Sequence, residues 1–207
     1  MQRFTRFALV SCLSSVLLSG CFGPNHMKTV QNGVLPNNTT VTVGGVFKGY
    51  EDCLSNTQKW TRARSTQGAR LVQFSCQLKS AQTYFAKAHS FQKDVDDIAQ
   101  SVTNFAKNLT GNHEKVQGGR KPVTQSHIFN PQETRLVVEF AIDKIDPKKF
   151  TINGIFIEPN WEGKKVQVEI NARNALENIY ANQPIFGANF SSLEFTNKLH
   201  KAYDARR

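Results

Sequence analysis

The clearest periodicity along the chain is an alternation between Arg70 and Lys79. Val72, Phe74, Cys76 and Leu78 are separated by Gln73, Ser75 and Gln77. Side chains two apart share one face of a pleated strand, so this spacing predicts a half-buried strand with Cys76 on its buried face. The period then changes. Tyr84, Ala88, Phe91, Val95, Ile98, Val102, Phe105 and Leu109 recur at spacings of four and three without a break. That heptad seam predicts one helix over Ser80–Thr110, closed by Gly111 at its end. At 1.5 Å per residue the helix is about 45 Å long. The stripe has to be covered. A helix laid across its own domain is the expected arrangement, with a bent helical pair, self-association or a partner chain as alternatives.

Three strands follow. Leu136, Val138, Phe140 and Ile142 alternate in the first, Phe150–Glu158 is the second, and Lys164–Ile170 is the third, with Val166, Val168 and Ile170 on one face. Asp146-Pro147 and the segment Asn160-Trp161-Glu162-Gly163 separate them, and such short connections make antiparallel neighbours. Asn171 caps an expected helix running through Ala181, which Pro184 stops. Ser191-Ser192-Leu193-Glu194 has the form of a capping box opening a last helix towards Tyr203. Before the first strand, Val41–Asn56 reads as a helix capped by Thr42, with Phe47, Tyr50 and Leu54 on one face and Trp60 in a connection. Asn112–Pro131 reads as a mobile loop. Phe22–Thr40 has no periodicity and reads as a tether. These elements predict an α+β domain over residues 41–207. Its sheet is about four-stranded, mainly antiparallel and covered on one face by helices. A helix-and-loop insertion spans 80–133.

Composition is that of a globular chain. The 207 residues are 39% hydrophobic and 20% charged, with fifteen phenylalanines and a formal net charge of +10. No apolar stretch reaches membrane-spanning length. The N-terminus has a different organisation. Met1–Arg6 carries Arg3 and Arg6 without an acid, and Phe7–Leu18 is mostly apolar. This is the layout of an export signal over residues 1–20, and it is too short for a spanning helix. Without it the net charge is +8, compatible with anionic lipid, peptidoglycan or an acidic partner, and more simply with an ordinary solvated exported protein.

The signal ends in Leu18-Ser19-Gly20-Cys21, which resembles the lipobox of bacterial lipoproteins. The resemblance implies a diacylglyceryl group on the Cys21 sulfur, cleavage before Cys21 by signal peptidase II, and acylation of the new amino end. Several chains on one cysteine make a lasting anchor, where a single chain does not. Phe22, in place of aspartate, implies sorting to the outer membrane. An ordinary secretory signal with an incidental cysteine is the alternative. Two further strings are similar to a pattern in uncharacterised proteobacterial lipoproteins. The first is Thr42-Val43-Gly44 with Phe47, Tyr50, Trp60, Gly68 and Val72; the second is Ile179-Tyr180-Ala181-Asn182 before Pro184. That likeness covers about half of the chain after residue 20 and implies no activity.

Cys12 leaves with the signal, so Cys53 and Cys76 remain. In an oxidising compartment they are an expected disulfide closing about 24 residues; two separate buried thiols are the alternative. Chemistry is otherwise sparse. His26, His89, His113, His127 and His200 match no metal-ligand spacing, and no Gly-x-Ser-x-Gly elbow occurs. Gly118-Gly119-Arg120-Lys121 lacks the phosphate-loop spacing. Asp143, Asp146, Glu158 and Glu162 are candidate acids for glycoside cleavage only if the fold pairs two of them across a cleft. Lys148-Lys149, Lys164-Lys165 and Arg206-Arg207 lie near Phe150 and Trp161, but core packing is the simpler use of those rings, and no nucleic-acid partner is expected.

The expected protein is therefore a lipoprotein anchored through Cys21, on the periplasmic face of the outer membrane, with a binding or scaffolding role in the envelope. It carries no expected metal, cofactor or catalytic residue. Phe91, Val95, Ile98 and Val102 are its candidate contact residues, for an envelope protein or a second copy. A subunit of a secretion or surface-appendage assembly and a peptidoglycan hydrolase are the alternatives.

Overall fold

The computed structural model describes residues 25–36, 38–110, 128–162 and 164–205, with the side chains of 106–110 left aside. The expected signal, Cys21, Gly111, His113, His127, the Gly118–Lys121 string, the Leu109 side chain and Arg206-Arg207 lie outside the described residues.

The chain is α+β. Its elements are α1 (His26–Asn32), α2 (Val43–Gly49), β1 (Lys59–Arg64), β2 (Arg70–Gln77), α3 (Lys79–Thr110), β3 (Glu133–Ile142), β4 (Phe150–Trp161), β5 (Lys164–Lys165), β6 (Val168–Glu169), α4 (Ala172–Tyr180) and α5 (Ser192–Asp204). The sheet has six strands among the described residues, not about four. Its order is β1-β2-β3-β4-β5, with β6 also on β4, and every pairing is antiparallel.

Two differences enlarge the sheet. Trp60 lies in an edge strand, where it pairs with Phe74. The expected third strand is broken in two at Val166, whose N–H donates to the Pro159 carbonyl. Pro159 has no N–H to return, so the ladder loses a bond there and pairing resumes at Val168. Val166 and Val168 still point inward, 1% and 3% exposed.

One face of the sheet carries the core. Val72, Phe74 and Cys76 meet Phe140, Val138 and Leu136 in register, and all six are fully buried. Phe47 of α2 lies against Phe74, with ring centroids 4.4 Å apart, and edge-on to Trp60 and Phe140. The opposite face is more polar, although Leu71 and Val137 are buried on it. Gln73 and Asn153 donate to the Glu139 carboxylate, and Arg135 donates to Ser75. One buried and one solvated face is the usual condition of an antiparallel sheet.

The N-terminal region departs from expectation. Residues 26–35 are not a free tether. Asn25 caps α1, and Val30 and Leu35 join the core. The Val41–Asn56 helix ends early, at Gly49. Thr42 caps it as expected, accepting from Gly45 N–H, but Tyr50 is extended and the following turn places Tyr50, Asp52 and Cys53 inward. The stretch expected as a mobile loop ends in Ile128 and Phe129, which are 1% and 4% exposed. Asn171 caps α4 through Asn174 N–H. Ser191 precedes α5 without a side-chain cap bond, and Glu194 pairs with Lys198 one turn on instead of reaching back.

Candidate functional site

α3 is the candidate site, and its root explains its geometry. Leu78 precedes it and has no side-chain oxygen to cap with. Asp52, far away in sequence, takes over. The Asp52 carbonyl accepts from Lys79 N–H at 2.8 Å, and its carboxylate accepts from Ser80 N–H at 2.8 Å and from the Ser80 hydroxyl at 2.6 Å. The first orphan donors of the helix are thus satisfied, with negative charge at the positive end of its dipole. The second carboxylate oxygen also accepts from Ile185 N–H at 3.0 Å. Tyr50 donates to the Gln183 carbonyl at 2.9 Å. Burial, then the charge of Asp52, pushes its hydroxyl pKa well above the ordinary tyrosine range.

The next residue, Cys53, is bonded to Cys76 of β2, with Cα atoms 5.6 Å apart. Residues 50–54 therefore fasten the point where α3 leaves the sheet. Ala81 and Phe85 continue the attachment, 2% and 3% exposed, and Tyr84 stacks on Phe186 at 4.4 Å within a cluster that includes Phe190 and Phe195.

Beyond His89 the helix leaves the domain. Phe91 is 70% exposed, Val95 42%, Ile98 64%, Val102 62% and Phe105 65%. The expectation that the helix lies across its own domain fails here. The domain covers about the first three turns, through Ala88, and the seam from Phe91 to Phe105 faces solvent. All four candidate contact residues, Phe91, Val95, Ile98 and Val102, fall on this uncovered stripe. An exposed apolar stripe of this kind is a candidate contact surface.

The other candidates scatter. Asp143 and Asp146 lie in the β3–β4 connection. Glu158 and Glu162 lie towards the opposite end of β4, a strand about 40 Å long at 3.3 Å per residue. The fold does not bring the two pairs to one cleft. Backbone N–H donors of Asp146 and Ile145 hold the Asp143 carboxyl below the usual carboxylate range. Trp161 is buried edge-on against Tyr203, and Phe150 packs edge-on to Phe140. Among the described residues no cluster of His, Cys, Asp and Glu could hold a metal ion, and no helix is long and apolar enough to cross a membrane. One cleft of about 570 Å³ lies between α4 and the start of β4, lined by Phe150, Ile152, Leu176 and Tyr180. Its charged groups are Arg173 and Glu177, one turn apart on α4.

Two histidines give a pH expectation. Burial and then Arg70 and Arg62 lower the pKa of His26. Burial also lowers that of His200 on α5, beside the Phe129 ring, while Asp204 opposes it. Each takes up its proton more readily in the unfolded chain, near 6.5, than in the fold. Stability is therefore undiminished above that value and falls as pH drops below it. Asp143 titrates at lower pH and does not enter this window. Thermal midpoints measured from pH 7.5 to 5.5 should fall, and His26→Asn with His200→Gln should flatten the slope.

No family model, curated protein or solved structure matches this chain.

Proposed function

We propose that this chain is a bacterial lipoprotein, held at the periplasmic face of the outer membrane through acylated Cys21, that binds or scaffolds another envelope component through α3. The observation that carries the reading is the uncovered seam Phe91–Val95–Ile98–Val102 on a firmly rooted helix. Seam residues pack knobs-into-holes only against a second helix, supplied by another protein or by a second copy. The disulfide supports an exported location, since such bonds persist in oxidising compartments. A subunit of a secretion or surface-appendage assembly would use the same seam as its docking element. A peptidoglycan hydrolase is the weaker reading, because its candidate carboxylates lie at opposite ends of β4.

The test has two arms. In the full-length chain, Cys21→Ser should abolish the acyl mass increment and signal cleavage at residue 21. Phe91→Ser, Val95→Asn and Ile98→Ser together should leave unfolding within about 0.5 kcal/mol, as expected for exposed positions. The same variant should lose the self-association or co-purifying partner seen with the parent in gentle detergent. Unfolding of the variant, or association that survives it, overturns the α3 reading.

A further inference from the structure

The end of the sheet opposite the root of α3 combines three features. The first is charge. Residues 62–70 and 143–149 are adjacent at this end, because Arg64 pairs with Arg70 and Leu71 pairs with Ala141. Together they carry six cations, Arg62, Arg64, Arg70, Lys144, Lys148 and Lys149, all exposed, against Asp143 and Asp146. Asp143 accepts from the loop's own backbone, and Asp146 is 3.6 Å from Lys149.

The second feature is an apolar tip. Ile145 is 95% exposed and sits between those lysines, on a loop that the Asp143 carboxylate holds in shape through the N–H groups of Ile145 and Asp146. Val34, 41% exposed, lines the same hollow as Lys144 and Lys148.

The third is the entry point of the chain. The Asn25 side chain accepts from Arg62 at 3.1 Å, and the next residue, His26, lies 3.4 Å from Arg70. Four residue steps separate Asn25 from Cys21, a reach of at most about 14 Å. An acylated Cys21 therefore cannot hold the domain at a distance. It brings this end of the sheet to the lipid headgroups.

We propose that this sheet end is a membrane-seating face, in which the six cations lie on anionic phospholipid headgroups and Ile145 enters the interface. This rests on the reading of Cys21 as the acylated anchor. Lysine and arginine near an anionic surface each favour the seated state about fivefold, and an apolar tip between them adds burial that charge alone does not. The seated domain would place the root of α3 at the far end of β2, about 26 Å away at 3.3 Å per residue. The anchor and the seam would then be at opposite ends of the molecule.

The test uses the full-length chain, purified from membranes and reconstituted in two kinds of vesicle: phosphatidylethanolamine with phosphatidylglycerol, and phosphatidylcholine alone. Its mass is measured first. With the acyl increment present, amide exchange across 62–70 and 143–149 should slow at least about tenfold in the anionic vesicles relative to the neutral ones. Lys144→Glu, Lys148→Glu and Lys149→Glu together should abolish that difference while the protein stays with the vesicles through its anchor. Equal exchange in both lipids in an acylated protein overturns the seating face and leaves the anchor standing. A mass without acyl groups overturns the anchor, and the seating face with it.

Discussion

Asp52→Ala is expected to lower the unfolding free energy by about 3 kcal/mol, and the thermal midpoint by about 10 °C. The substitution removes a small side chain, so the effect does not come from lost packing. Two backbone donors, Ser80 N–H and Ile185 N–H, lose their acceptor at once, as does the Ser80 hydroxyl. An orphaned buried donor costs about 1–3 kcal/mol, and Ile185 is 1% exposed. Helix α3 also loses its cap and the negative charge at its start. Asp52→Asn tests this account more sharply. The amide keeps the size of the carboxylate but offers one oxygen. Ser80 N–H meets one carboxylate oxygen and Ile185 N–H the other, so either orientation aims an NH₂ at a backbone donor. It should therefore cost about 2 kcal/mol in urea unfolding, despite being isosteric. An asparagine variant as stable as the parent would show that the carboxylate is incidental to the root of α3.

The sequence patterns reported some of this architecture well and left other parts unmarked, for identifiable reasons. β2 was legible because, from Val72 to Gln77, apolar Val72, Phe74 and Cys76 alternate with polar Gln73, Ser75 and Gln77. β1 was not, because the face that Trp60 shares also holds Arg62 and Arg64, which extend past the helical cover into solvent. Its period-2 signal is charged where it should be apolar. α2 was over-extended because Phe47, Tyr50 and Leu54 keep helical spacing, although Tyr50 reaches the core from extended backbone. α1 has too few apolar residues to show a stripe; Met27 and Val30 do its packing. The candidate site divides in the same way. The heptad spacing located Phe91, Val95, Ile98 and Val102, but the same spacing serves a covered helix and a free one equally. What decides between them is the position of the root, and that depends on Asp52 and Cys53, two residues inside a segment whose helical spacing points to the wrong local structure.

The Cys53–Cys76 bond belongs to that same fastening, and its removal has the second large expected effect. The bond joins residues 23 apart in sequence, and on chain entropy a loop of this size is worth about 3 kcal/mol. Cys53→Ala with Cys76→Ala should therefore lower the thermal midpoint by about 10 °C, and a reducing agent should do the same to the parent chain but not to the variant. The neighbouring contacts make the two predictions interdependent. Leu54 N–H donates to the Gln77 carbonyl, and Cys53 bridges to Leu78 in the backbone, so the disulfide, these bonds and the Asp52 carboxylate hold one short segment against the end of β2 and the start of α3. Once one fastening is lost, the segment opens more easily and the other holds less. Groups sharing a network couple by about 0.5–3 kcal/mol, whereas sites far apart add. Combining Asp52→Ala with the double cysteine substitution should accordingly cost less than the sum of the separate losses. If the losses simply add, the two fastenings act on separate parts of the fold, and the picture of a single clamp at the base of α3 fails.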